Sequence, residues 1–373
     1  MRRRALFHAL NHVGLGHLNR TLGVAEALLA AESPPEVLFL IEGGRELIDA
    51  TPLPWIQIPA FADFRTERWR KQFELAECEA YTEAVARGAA EVFRPQLLVG
   101  DTVIYPPVVG PARAVGARVA LVARIGGLVR EQLAARDERL AQVDLLVAPH
   151  HRGELPAEDE ALLDRAGKPV AYVGPIVRRA VSRAQAEKVA RLFAEEERMV
   201  LVLLGGGGWG FTRQVLEALL AALPAIERAE PAARVCAIVG PHFQGALPAV
   251  GGALRHVARF EADLPCFIER AAAVLCLAGY NTMHEVAAAG VPAVCVPCDE
   301  ADDQLERARE FARRYPAFAV GEARAEALAE ALLAALGRRP DEKVRAEVAE
   351  EARATAGRLR GALEPLFAAQ GDR

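Results

Sequence analysis

The stretch Ala273–Gln304 reads AVLCLAGYNTMHEVAAAGVPAVCVPCDEADDQ, and its order of parts decides how the rest of the chain is read. An apolar run ends at Gly279, a helical segment follows and stops at Gly290, and Pro292 opens a second apolar run that leads into an acid-and-amide loop. Glycine stops a helix because it adopts the left-handed conformation without steric cost, and proline cannot continue one. Two buried strands joined by a helix make one unit of a parallel sheet.

The same scheme extends outward. In the second half, Met199–Leu204, Val235–Val239, Ala273–Ala278 and Ala293–Pro297 have the continuous apolar character of strands covered on both faces. In the first half, Ala5–Leu10, Val37–Ile41, Gln96–Gly100, Val119–Ala123 and Leu145–Ala148 do the same, separated by helical patterns such as Leu18, Leu22, Ala25 and Leu29. A chain of 373 residues holds two domains at roughly 100 to 200 residues each. The boundary is expected near residue 178, after Val173-Gly174-Pro175, which gives domains 1–178 and 179–373. The helical stretches Ala323–Leu336 and Asp341–Leu366 either wrap the second domain or cross back to the first.

Composition narrows the function. A net charge of -5 and a pI near 6.0 leave no basic excess to displace counterions from a nucleic acid. The N-terminal MRRRALFHALNH begins like a signal peptide, but His8 and Asn11 interrupt its apolar region. No apolar run approaches the roughly 20 residues that cross a bilayer. A cytoplasmic protein is expected, with any membrane contact peripheral. The six cysteines, at 78, 236, 266, 276, 295 and 298, form no disulfide framework, and the lone C-x-x-C at Cys295 and Cys298 has no second pair. It reads as redox or zinc chemistry, or as a core residue followed by a loop residue.

Several residues stand where strands hand over to helices, the place where open parallel sheets bind ligands. Gly279, Asn281 and Thr282 open a helix whose free amides and positive end suit phosphate; Asn281 also reads as a plain helix cap. Glu285 is placed to reach a ribose with its carboxylate, or is an ordinary early-helix acid. Asp302, Asp303 and Gln304 offer acceptors and an amide to the hydroxyls of a sugar, or form a solvated loop. Gly206, Gly207 and Gly208 belong to the run Gly205–Gly210, which lacks the Lys-Ser/Thr ending of a P-loop and reads as a close backbone approach to a ligand. In the first half, Gly14-Leu15-Gly16-His17 opens the first helix, and His17 suits a general base; the bland alternative is a structural histidine. His8, His12, His150 and His151 have no comparable setting. Phe61–Lys71, aromatic and basic, reads as an acceptor loop, a lipid-facing patch or a packed loop.

These residues resemble the GT-B glycosyltransferases, and within them the family of the peptidoglycan N-acetylglucosaminyltransferase and the diacylglycerol glycosyltransferases, glycosyltransferase family 28. G-x-G-H at Gly14 to His17, the glycine loop at Gly205, E-x-A-A-x-G-x-P at Glu285 to Pro292 and D-x-Q at Asp302 to Gln304 carry the likeness. It implies an α/β chain of two Rossmann-like, doubly wound domains facing across a crevice, the first on the acceptor side and the second binding a nucleotide sugar. It further implies that Glu285 holds the ribose and that Thr282 and the glycine loop hold the diphosphate. Asp303 and Gln304 would hold the sugar, the backbone near Phe260 and Glu261 the base, and Arg178 would reach the nucleotide. His17 would be the base in an inverting, metal-independent transfer from a UDP-sugar, with no cofactor, to an acceptor the residues do not identify. Tyr280-Asn281 departs from the small residues of the peptidoglycan enzyme, so that enzyme's substrate is not carried over. G-x-G-H-x-x-R, completed by Arg20, also resembles the nucleotide-sugar hydrolases of pseudaminic acid synthesis; a non-catalytic nucleotide-sugar-binding subunit is the third alternative.

Overall fold

The computed structural model describes residues 2–10, 15–43, 45–59, 74–135, 138–178, 183–208, 210–262, 264–298 and 303–368. Gly14, His12, the segment Phe61–Lys71, Trp209 and Asp302 therefore lie outside the described residues. The chain divides into two compact units, residues 1–176 with 351–373, and residues 177–350.

In the first unit strands and helices alternate: β1 (Arg4–Leu10), α1 (Gly16–Leu29), β2 (Glu36–Glu42), α2 (Arg45–Asp49), β3 (Trp55–Ile58), α3 (Leu75–Phe93), β4 (Leu97–Asp101), α4 (Pro106–Ala114), β5 (Arg118–Val122), α5 (Gly127–Ala134), β6 (Leu145–Ala148), α6 (Ala157–Arg165) and β7 (Val170–Tyr172). The seven strands pair in the order β3-β2-β1-β4-β5-β6-β7, every pair parallel. The strand order reverses between β1 and β4, and the carboxyl ends of these two strands mark the crest where such sheets receive ligands.

The second unit repeats the plan with α7 (Arg183–Leu192), β8 (Arg198–Leu203), α8 (Gly210–Ala229), β9 (Ala233–Ile238), β10 (Leu254–Ala258), α9 (Leu264–Arg270), β11 (Ala273–Leu277), α10 (Tyr280–Ala289), β12 (Ala293–Val296), α11 (Gln304–Arg314), β13 (Phe318–Val320) and α12 (Ala325–Leu336). Its six strands run β10-β9-β8-β11-β12-β13, again all parallel, and reverse order between β8 and β11. Both faces of this sheet are buried: Met199, Leu201 and Leu203 point into one core, Val200 and Val202 into the other. At about 1.5–3 kcal/mol for each large side chain taken fully out of water, these two layers supply most of the unit's drive to fold. The last helix, α13 (Glu342–Phe367), contributes its residues from 351 onward to the first unit, where Arg358 Nε donates to Val173 O at 2.8 Å and Leu359 and Leu363 are buried.

The nine strands expected from apolar runs are the interior strands of the two sheets, with ends shifted by a residue or so. The four that apolar runs do not mark, β3, β7, β10 and β13, are the four edges. An edge strand is covered less completely, so it needs no apolar run: β7 is half-buried throughout, and β10 is buried at Leu254 alone.

Candidate active-site residues

His17 stands in the first turn of α1, directly after Gly16, at the crest beyond β1. Its Nδ1 lies 2.9 Å from Oδ2 of Asp101, the last residue of β4, which is fully buried while the His17 side chain keeps 24% of its surface exposed. Strand order, not chain order, makes the two neighbours, because β1 and β4 are hydrogen-bonded partners. Arg20, one turn along α1, donates from Nε to Asp101 Oδ1 at 3.2 Å and from Nη2 to Oδ2 at 2.7 Å. Burial by itself pushes the Asp101 carboxyl up; Arg20 and His17 outweigh it and hold the carboxyl below its ordinary value. An ionised carboxylate can only accept, so Nδ1 of His17 is the donor in this pair.

The next residue, Thr102, has φ +65°, which a β-branched residue adopts at a cost of about 1–3 kcal/mol. The surroundings hold it there. Its N–H donates to Val122 O at 2.9 Å, its carbonyl accepts from Gln132 Nε2 at 2.9 Å, and its hydroxyl accepts from Arg20 Nη2 at 3.3 Å. Val103 follows and lines a cavity of about 720 Å³ between α3 and α4, with Leu10, Tyr105, Pro106, Pro107 and Pro111 as apolar walls and Glu79 and Glu83 among its acids. Beneath it His8 Nε2 meets Glu42 Oε1 at 2.7 Å with both side chains almost wholly buried, and Tyr105 stacks on His8.

In the second unit the glycine loop follows β8. Gly205 and Gly207 have φ of +63° and +80°, and a Cβ on Gly207 would stand 2.5 Å from Val239 O and 2.8 Å from Phe243 N. His242 N donates to Gly206 O at 2.9 Å. Both positive φ values favour glycine, and Gly207 has a further structural reason, the packing of this turn on the loop beyond β9, in addition to any ligand the run approaches.

Gly279 caps α10 with extended backbone, so Asn281 is the second helical residue and not the cap; no side chain caps the helix. Thr282 stands in the same first turn, and Gly290 ends the helix at φ +65°, where a Cβ would meet Asp341 O at 2.6 Å. Glu285, 8% exposed, lines a small pocket with Arg178, Pro265 and Ile268. Glu261, 7% exposed, accepts from His256 Nε2 at 3.0 Å and from Lys188. Burial pushes its carboxyl up, and His256 and Lys188 hold it below the ordinary value. That leaves the backbone of Glu261 and of half-buried Phe260 as what this turn can offer a base. Asp303 caps α11 and pairs with Arg307, while Gln304 Oε1 accepts from Cys298 N at 2.9 Å. All six cysteines are buried and none is in a disulfide; Cys276 and Cys295 lie on adjacent strands at an Sγ–Sγ distance of 3.8 Å. Among the described residues no group of three or more His, Cys, Asp or Glu could hold a metal ion, and no helix is long and apolar enough to cross a membrane.

Reading residues along the sequence passed over Asp101, Arg307 and the His8–Glu42 pair. Asp101 had a signal, an acid closing the strand LLVGD; Arg307 had none, as one of several charges on an amphipathic helix.

Residues 200–359 match the glycosyltransferase family 28 C-terminal domain. The fold is that of solved GT-B glycosyltransferases. The glycotransferase of kitacinnamycin superposes with TM-score 0.65 at 17% identity, over 98% of this chain and 100% of its own. MurG of Acinetobacter baumannii does so with TM-score 0.53 at 18% identity, over 97% and 99%. A Listeria monocytogenes protein assigned as a UDP-N-acetylglucosamine 2-epimerase also superposes, with TM-score 0.64 at 13% identity over 100% and 98%, so the fold hosts more than one chemistry. No curated protein matches the sequence. Residues 200–359 are thus similar to a family 28 C-terminal domain, and the chain has the fold of these glycosyltransferase structures.

Proposed function

We propose that this chain, built on a GT-B fold with a family 28 C-terminal domain, moves a hexose from a UDP-sugar to an acceptor hydroxyl with inversion at the anomeric carbon. The observation that carries the chemistry is the His17–Asp101 pair at the crest of the first sheet. Nε2 of His17 takes the proton from the acceptor hydroxyl as its oxygen attacks the anomeric carbon and the bond to the diphosphate oxygen breaks; Asp101 stabilises the imidazolium that forms. The cavity walled by Tyr105 and three prolines, beginning two residues after Asp101, suits an acceptor with an apolar body.

In the second unit Glu285 accepts from the ribose hydroxyls, and the amides of the glycine loop and of the first turn of α10, with Thr282, take the diphosphate charge. Asp303 and Gln304 bind sugar hydroxyls; Gln304 Oε1 is engaged by Cys298 N, so its amide nitrogen is the group turned to the sugar. The donor chemistry needs no cofactor.

Turnover with a panel of nucleotide sugars and alcohols, read by release of nucleoside diphosphate and by NMR of the product's anomeric proton, tests the reading. Transfer with inverted configuration is expected. Sugar release at the same rate without any acceptor would mean a hydrolase, the reading that G-x-G-H-x-x-R also fits.

A further inference from the structure

Arg307 lies on α11, one turn after Asp303, and is only 9% exposed. Taking a guanidinium out of water costs several kcal/mol unless its donors are matched, so its contacts say what it is for. Nη1 donates to the carbonyl of Ala278 at 2.6 Å, the last residue before the turn that opens α10. Nη2 pairs with Oδ2 of Asp303 at the start of α11. The guanidinium carbon stands 5.8 Å from the centre of the Tyr280 ring. One side chain thus ties together the turn that opens α10 and the start of α11. Arg307 holds the Asp303 carboxylate from one side, and the Asp303 side chain stays 28% exposed.

We propose that Arg307 is a positioning residue of the donor site: anchored on the carbonyl of Ala278, it sets the carboxylate of Asp303 at the height and angle at which sugar hydroxyls are distinguished. The inference rests on the donor reading of this unit given above. A planar fork with two anchors does this, and a lysine, with a single rotatable ammonium, can keep the charge but not both bonds at once. Tyr280 completes the seat by stacking under the fork.

The test uses the full chain, with UDP, UDP-glucose, UDP-galactose and UDP-N-acetylglucosamine as probes and calorimetry with steady-state kinetics as readouts. R307M is expected to bind UDP within about twofold of wild type, to bind the preferred UDP-sugar about tenfold more weakly, and to discriminate less between UDP-glucose and UDP-galactose. R307K is expected to recover part of the sugar affinity. D303N, close to isosteric, should reproduce the loss, and the double variant R307M/D303N should be little worse than either single one, because both act through the same carboxylate. Equal loss of UDP and UDP-sugar in R307M, or additive losses in the double variant, would reduce Arg307 to a scaffold residue and overturn the proposal. A wild-type protein that binds UDP but none of the UDP-sugars would overturn the donor reading itself, an outcome visible before any variant is made.

Discussion

The crests of the two sheets solve different problems with different materials. In the first unit the candidate base depends on charged side chains brought together from 84 residues apart, His17 and Asp101, with Arg20 neutralising the buried carboxylate. In the second unit the candidate donor site depends on backbone: a glycine turn, the open end of α10 and a helix stop at Gly290, nearly all within contiguous stretches. Side-chain charge can poise a proton, which backbone cannot. Backbone amides can surround a diphosphate without the desolvation cost of burying full charges. The difference implies that the first crest breaks by chemistry and the second by shape.

The largest effect is expected at the first crest. H17A should lower kcat by about 10³ and D101N by about 10², with UDP affinity unchanged in both, because the groups removed serve proton transfer. D101N with wild-type kcat would remove Asp101 from the mechanism. Next comes the shape of the second crest: G207A forces a Cβ against Val239 O at 2.5 Å in a left-handed backbone and should cost about 3 kcal/mol or more of stability by urea denaturation. If G207A unfolds at the wild-type midpoint, the packing of this turn on the loop beyond β9 is not what it is taken to be. E285A should weaken UDP binding about tenfold, since removing one carboxylate loses two ribose hydrogen bonds; an unchanged affinity would put the ribose elsewhere.

The smallest effect compares the two units directly by acid. Asp101 and Glu261 both have carboxyls held below their ordinary values, so each adds stability above its unfolded pKa, about 3.9 for Asp and 4.3 for Glu, and loses it as pH falls through the lower folded value. Melting temperatures measured from pH 6 down to pH 3 should therefore fall more steeply below about pH 4 in wild type than in D101N or E261Q. D101N should also start lower at neutral pH, because Arg20 loses its partner while 4% exposed. Equal slopes would mean that neither carboxylate is held down.

What could be read from residues alone follows from burial. Interior strands announced themselves because both faces must be apolar, and the helix stop at Gly290 because only glycine fits there. The edges β3, β7, β10 and β13 escaped because partial exposure leaves no pattern. The contiguous stretch from Gly279 to Gln304 showed its logic within one reading window, apart from Asp303, whose carboxylate is shared with an arginine that looked like any other surface charge. The glycine run has a second reason that the sequence does not display, since the backbone of Gly207 packs against Val239 and Phe243.

By itself the sequence determined the α/β alternation, the two-unit plan, the glycine turns and the place of His17 at a strand-to-helix hand-over, all of them consequences of local periodicity and backbone sterics. Tertiary structure alone decided that Asp101 belongs to His17, that Arg20 belongs to Asp101, and that Arg307 joins Ala278 to Asp303. Those pairings depend on which parallel strands lie side by side, and strand order is set by the packing of whole sheets, which no stretch of neighbouring residues encodes.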